Sequence, residues 1–157
     1  MSNSGATLTM LLIGGYRSLV EAAQAELAAR GYEDVRPVHD VAIRAIAAGA
    51  DSASELGRRL MVSKQAAAKT IGILQKRGYV VREADPVDAR RKRLRVTSRG
   101  LDMLREAEEI FDELREKWAR QIGSTQLEQL EKHLTELIGT DPHRLDNSGW
   151  LARDLGE

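Results

Sequence analysis

The chain contains no cysteine. That excludes disulfides, thiolate metal sites and a thiol redox switch. Aromatic residues make up only 4% of the 157 positions, so the core must be aliphatic, built on Leu, Ile, Val and Ala. The three histidines, His39, His133 and His143, are far apart and form no ligand motif, so no metal or cofactor is expected. No apolar run approaches the roughly 20 residues that span a bilayer. Met1–Gly5 is small and polar without a basic segment, so neither a signal peptide nor a membrane association is expected, and a cytoplasmic location follows. There is no nucleophile–base motif, no phosphate-binding glycine loop and no metal cluster, so the chain is not expected to be an enzyme.

What is present is charge, unevenly spread. Apolar residues are 42% and charged residues 31%, a globular balance. The formal net charge is zero, yet thirteen basic residues lie between Arg58 and Arg99 against only Glu83, Asp85 and Asp88. A segment with a surplus of ten positive charges inside an acidic scaffold is the electrostatic footprint of a nucleic-acid binder. The alternative is a solvated basic face.

Helical periodicity dominates the rest. Leu8, Leu12, Tyr16, Leu19, Ala23 and Leu27 recur at spacings of three and four, which predicts an amphipathic helix over roughly 6–30, ended by Gly31. Pro37 opens a second helix, stopped by Gly49. Ser52-Ala-Ser-Glu55 reads as a capping box for a short third helix ending at Leu60. Met61 and Val62 make a turn, Ser63 caps a fourth helix to about Arg77, and Gly78 stops it. The period then becomes that of strands at 79–83 and 94–97, joined by a basic tip from Asp85 to Arg93. Thr97 or Ser98 caps a long fifth helix with Leu101, Leu104, Phe111, Leu114 and Trp118. Gly123 breaks it, and Thr125-Gln-Leu-Glu128 reads as a second capping box. Leu127, Leu130, Leu134, Leu137 and Ile138 stripe a sixth helix, and Trp150, Leu151 and Leu155 suggest a last docked turn.

Two helices joined by about three residues, then a strand, a basic hairpin and a strand, are the order of a winged helix-turn-helix. In the fourth helix Ala67, Ile71 and Leu74 share an inward face. The opposite face offers Lys64, Gln65, Ala68, Lys69 and Gly72. Ala68 and Gly72 permit close approach to a groove, and Lys64, Gln65 and Lys69 supply donors to base edges and phosphates. Ser63 at the helix start adds backbone N–H groups for a phosphate. A plain solvent-exposed amphipathic helix is the competing reading. The hairpin sharpens the choice, because an ordinary turn has no need of Arg90, Arg91, Lys92 and Arg93 together. An arginine-tipped arm can enter the minor groove, where negative potential attracts guanidinium. Neighbours alternate sides in an extended hairpin, so Arg90 is expected in the groove and Arg91, Lys92 and Arg93 mainly on phosphates. Asp88 is read as a partner orienting Arg90, or else as a plain turn residue.

The stretch Asp85-Pro-Val-Asp88-Ala-Arg90-Arg-Lys-Arg-Leu-Arg-Val-Thr97-Ser-Arg-Gly100 resembles the wing signature of the multiple-antibiotic-resistance regulator (MarR) family. There Asp-Pro, a second Asp, an Arg and a Thr-x-x-Gly recur. Ser54-Glu55-Leu56, Ser63, Leu74 and Gly78–Val80 continue the resemblance, which covers roughly residues 7–138. Ala89 departs from it, where many relatives carry another Arg, and Ala66-Ala67-Ala68 leaves few side chains to read bases.

The resemblance implies a mainly α fold with a small β-hairpin wing. It is a single domain over 1–157, with a DNA-binding lobe over 37–97 and dimerisation helices over 6–30 and 98–155. It implies a homodimeric DNA-binding transcription regulator, most simply a repressor, on a pseudo-palindromic double-stranded operator. One winged module cannot cover the apolar stripes at 6–30, 98–121 and 125–139 alone, which points to a dimer independently. The resemblance further implies a small aromatic or lipophilic effector between the two sets of helices. Tyr16, Arg17, His39, Arg44 and Trp118 are the candidates by placement, each with an ordinary core, solvated or capping role as the alternative. A winged-helix protein-interaction module without specific DNA binding is the rival reading of the whole chain.

Overall fold

A computed structural model describes residues 3–140. Helix α1 covers Gly5–Ala29, α2 Pro37–Ala47, α3 Ala53–Leu60 and α4 Lys64–Lys76. Strands β1 (Val80–Ala84) and β2 (Lys92–Val96) form an antiparallel hairpin in which Val80 pairs with Val96 and Ala84 with Lys92. Helices α5 (Ser98–Ile122) and α6 (Ser124–Ile138) complete the described chain. This is the mainly α architecture with a small wing that the sequence implies. The expected turn around Trp150, Leu151 and Leu155 lies outside the described residues.

Local chemistry sets most boundaries. The Ser4, Ser52, Ser63 and Thr97 hydroxyl oxygens each accept a backbone N–H in the first turn of the helix that follows. Two expected capping boxes are not formed. The Glu55 carboxylate does not reach back to Ser52, because Arg58 and Arg59 claim it at 2.5 and 3.3 Å. At α6 no side chain caps the helix, which starts one residue early behind Gly123. The Gln126 amide folds back over Gly123, so Thr125 and Glu128 have no capping geometry to complete. The hairpin is also shifted: Tyr79 precedes β1, while Lys92 and Arg93 belong to β2 and not to the tip.

Helix α1 lies along α5, and α6 folds back onto α5. Helices α2, α3 and α4 pack together with the hairpin. One continuous core joins the two groups: Leu27 of α1 and Met103 and Ile110 of α5 share it with Ile43, Leu56, Ile71 and Leu74. Burying a side chain such as Ile71 or Leu74 contributes about 1.5–3 kcal/mol each. The inward row of α5 is Met103, Leu104, Ala107 and Ile110; Leu101 is exposed, and Phe111 is part-exposed on the side toward α1 and α2. Leu8, Met10, Leu11, Leu12 and Ile13 on α1, and Leu130, Leu137 and Ile138 on α6, are exposed within the single chain. Much of the expected apolar striping, at Leu8 and Leu12 on α1 and Leu130 and Leu137 on α6, therefore stays exposed among the described residues of one protomer.

The hairpin meets α5 at a crowded joint. The Thr97 hydroxyl donates to the Gly78 carbonyl while its oxygen accepts the Gly100 N–H. The Thr97 N–H donates to the Tyr79 carbonyl at 2.9 Å. A Cβ at Gly100 would stand 2.4 Å from the Tyr79 carbonyl oxygen and 2.7 Å from Val96 Cγ1. The Thr-x-x-Gly spacing thus has a steric and a hydrogen-bonding reason, since threonine stitches the joint and only glycine fits behind it. Gly100→Ala is expected to destabilise the protein by about 1–3 kcal/mol through overpacking against backbone. Urea unfolding checks this; an unchanged midpoint would show that the joint yields freely.

Candidate nucleic-acid interface

The connection from α3 to α4 is held by its backbone. Met61 takes a left-handed conformation (φ 55°), and a Cβ on Gly57 would come within 3.0 Å of the Val62 carbonyl oxygen. That close approach sets the angle at which α4 leaves. Ala67, Ile71 and Leu74 are then buried, as expected, and Lys64, Gln65, Ala68, Lys69 and Gly72 are exposed. At 3.6 residues per turn, spacings of four, three and four put Gln65, Lys69, Gly72 and Lys76 in one outward row. Lys76 belongs to that row although it was not among the sequence candidates. A Cβ on Gly72 would meet nothing within 4 Å, so the middle of the row is flat.

The wing tip is built by its two aspartates. Asp85 Oδ1 accepts the N–H groups of Val87 and Asp88 at 2.8 and 3.3 Å. Those two donors hold the Asp85 carboxyl below the usual carboxylate range. Asp88 Oδ1 accepts the Arg90 N–H at 3.1 Å, and the Asp88 carbonyl accepts the Arg91 N–H at 3.0 Å. Asp88 therefore acts first on the backbone; its carboxylate lies 3.9 Å from the Arg90 Nε. The Arg90 side chain is 96% exposed at the tip.

Ion pairs sort the thirteen basic residues into two sets. Arg58 and Arg59 share Glu55, and Arg59 also donates to the Ala48 carbonyl at the end of α2. Arg93 and Arg95 share Glu83, whose carboxyl is held low chiefly by Arg95. Arg77 pairs with Asp34 at 3.1 Å, and Arg91 with Asp51 at 3.0 Å. The Arg91–Asp51 pair was not foreseen from the sequence, nor was the bond from the Leu94 N–H to the Asp51 carbonyl that anchors the hairpin beside it. Arg99 lies over the Tyr32 and Tyr79 rings. Among the described residues, Lys64, Lys69, Lys76, Arg82 and Lys92 are in no ion pair, and Arg90 has only the loose one. The cations left for an external anion thus lie on the outward row of α4, at its start and on the hairpin.

A separate cavity of about 260 Å³ opens between α1, α2 and α5. Leu19, Val20, Leu27, Val41 and Phe111 make it apolar, with Asp40 at its edge. Of the effector candidates, Tyr16 and Arg44 line it. Arg17 lines only an adjoining shallow depression, and His39 and Trp118 line neither. Burial, reinforced by Asp40, pushes the Tyr16 phenol up. Arg44 is committed to Asp40 and Glu108 at 2.7 and 2.9 Å. Trp118 covers α1 at Gly15, where a Cβ would stand 3.5 Å from its ring. His39 is 3% exposed, and its Nδ1 accepts the Arg36 N–H at 3.1 Å. It caps α2 instead of facing the cavity.

A helix-turn-helix followed by a braced, arginine-tipped hairpin and flanked by long helices defines a winged helix-turn-helix protein. Residues 41–91 match the model of the MarR family, in agreement with the resemblance carried by the wing signature. The fold extends the likeness to most of the described chain. FabT of Streptococcus pneumoniae, solved in complex with DNA, superposes with a TM-score of 0.65 at 19% identity, over 85% of this chain and 94% of that one. MepR of S. aureus bound to ethidium bromide gives 0.58 at 18%, over 85% and 94%. A cysteine-to-serine mutant of MarR from E. coli gives 0.62 at 18%, over 84% and 96%. No curated protein sequence matches the chain. No helix among the described residues is long and apolar enough to cross a membrane.

His39 makes stability depend on pH. Burial is the main cause that lowers it from its ordinary value near 6.5, followed by the Arg77 charge. The folded state then binds fewer protons at this site than the unfolded state. The contribution of neutral His39 is complete above about pH 6.5 and is lost as pH falls below it, by at most about 1.4 kcal/mol per pH unit. His39→Gln should flatten the slope of unfolding free energy between pH 7.5 and 5. Identical slopes in the two proteins would place the dependence elsewhere.

Proposed function

We propose that the protein is a homodimeric, sequence-specific DNA-binding transcription regulator, a repressor released by a small apolar effector. The observation that carries this reading is the sorting of the basic charge. Arg58, Arg59, Arg77, Arg91, Arg93 and Arg95 are neutralised by named carboxylates, whereas among the described residues Lys64, Lys69, Lys76, Arg82 and Lys92 are in no ion pair and Arg90 has only a loose one. In this reading α4 enters the major groove, with Gln65 and Lys69 toward base edges and the flat middle at Ala68 and Gly72 allowing close approach. Lys64 and the capped N-terminus at Ser63 meet phosphate. Arg90 enters the minor groove, Lys92 meets phosphate, and Asp88 shapes the tip that presents them. Arg91 reaches phosphate only by sharing or leaving Asp51. FabT solved with DNA and MepR solved with ethidium bromide are structural relatives with both kinds of partner, which supports a reading with DNA and a small ligand.

The exposed apolar surface on the first half of α1 and along α6 supports the dimer. A second copy related by a twofold axis would cover it and set two α4 helices roughly 34–36 Å apart, on successive turns of one face of DNA. Sedimentation should give a dimer at micromolar concentration, and Leu11→Glu with Leu137→Glu should shift it to monomer. A monomeric parent would remove the assembly. The cavity bearing Tyr16 and Arg44 is the effector site in this reading, its apolar walls suited to an aromatic or lipophilic compound.

A salt series of DNA binding tests the function itself. Affinity should fall steeply with salt, as phosphate contacts require. Arg90→Ala should lose about tenfold in operator affinity and relax preference at the outer flank. Lys92→Ala should weaken all sequences alike and lower the salt slope by about one. A winged-helix protein-interaction module would show negligible DNA binding at every salt concentration, and that result would overturn the reading.

A further inference from the structure

The C-terminal end of α4 is held by polar contacts that the interface itself does not use. Arg77 ends the helix and turns its guanidinium away from the outward row toward the loop between α1 and α2. It donates to the Asp34 carbonyl at 2.7 Å, to the Glu33 carbonyl at 3.4 Å and to Asp34 Oδ2 at 3.1 Å. Arg99, in the first turn of α5, donates to the Gly31 carbonyl at 2.9 Å and to the Arg77 carbonyl at 3.3 Å. Its guanidinium lies 4.9 Å from the Tyr32 ring and 5.4 Å from the Tyr79 ring. The Tyr32 hydroxyl donates to Glu106 of α5 at 3.1 Å. The end of α1, the end of α4 and the start of α5 therefore meet in one junction.

Asp34 adopts a left-handed backbone conformation (φ 51°), uncommon for a residue other than glycine although aspartate is among those that tolerate it. The Arg77 guanidinium beside it holds its carboxyl below the usual range. Helix α4 packs on α2, α3 and β1 and shares no extensive face with α1 or α5. Beside the Thr97 stitch, which ties the stop of α4 to the start of α5, the junction is thus a direct polar link between the side of the recognition helix and both long helices.

We propose that Asp34, Arg77 and Arg99 are positioning residues that fix the pitch of α4 against the long helices and thereby set which half-site spacing the dimer accepts. This rests on the DNA-binding dimer proposed above. The lever is short and stiff: thirteen helical residues span about 20 Å, so a tilt of roughly 10° about the clamped end moves the other end by about 3 Å. That is close to the roughly 3.4 Å rise of one base pair. One base pair also turns the half-site by about 35° about the DNA axis, so a helix free to tilt would recover part of the lost contacts and a clamped helix would recover none.

The experiment uses the full-length protein. An operator is first selected from a random duplex library, and binding is then measured on duplexes with one or two base pairs added or removed between half-sites. The parent should lose at least about thirtyfold for a one-base-pair change. Asp34→Asn, which suits the left-handed turn but drops the charge, and Arg99→Gln should bind the native spacing within a few-fold of the parent. Their penalty for one base pair should shrink to a few-fold. Thermal unfolding confirms that both variants are folded, and Asp34→Asn serves if Arg99→Gln is not. An unchanged spacing penalty, with affinity lowered equally on every duplex, overturns the clamp and leaves the DNA-binding reading standing. A parent that selects no two-half-site operator overturns that reading, and the clamp with it.

Discussion

The structure hinges on the stitch at Thr97. One hydroxyl donates to the Gly78 carbonyl and accepts the Gly100 N–H, while the same residue's N–H reaches the Tyr79 carbonyl. The stop of α4, the base of the hairpin and the start of α5 are thereby one unit. Without it the wing would be an isolated two-stranded hairpin, which is marginal in water. With it, the tip is carried on a rigid base, and its aspartates need only shape the last turn. The Leu94 bond and the Arg91 pair to Asp51 brace the outer side.

The same economy governs the charge. A surplus of ten positive charges between Arg58 and Arg99 would repel itself, and the fold answers by placing Glu55, Glu83, Asp34 and Asp51 among the arginines. These pairs are largely exposed, so each adds little stability. Their consequence is selectivity of placement. Long arginine forks are retained for internal bracing, as with Arg59 on α2 and Arg77 on the α1–α2 loop, while lysines dominate the cations facing outward. Lysine's compact ammonium on a flexible stem suits phosphate contacts that need reach more than fixed geometry.

Local features were legible from the chain alone. Helix spans depend on apolar spacing, and stops depend on glycine and on hydroxyl caps, all read within a few residues. The inward row of Ala67, Ile71 and Leu74 follows from the helical period, and so does the outward face opposite it. The wing was legible because Asp-Pro-x-Asp marks a turn and the arginine run at that turn has no ordinary turn to serve. The boxes at Ser52–Glu55 and Thr125–Glu128 failed because a nearby arginine pair and a folded-back Gln126 changed the competition for the same groups. Leu101 and Phe111 could not be assigned from periodicity, since α5 carries apolar residues on more than one side.

Tertiary structure decided what depends on distance in space. Asp51 and Arg91 are 40 positions apart, and Asp34 and Arg77 are 43 apart, so no spacing rule relates them. Tyr16 and Arg44 reach one cavity, while His39, only five residues from Arg44, turns inward to cap its helix. The sequence by itself determined the elements and their order, and carried the likeness to the family whose model matches residues 41–91, because capping, periodicity and turn chemistry act along the chain. Which cations stay free, and which residues share a cavity, was settled only when packing chose their neighbours, because an ion pair or a wall forms between whatever the fold brings within a few ångströms.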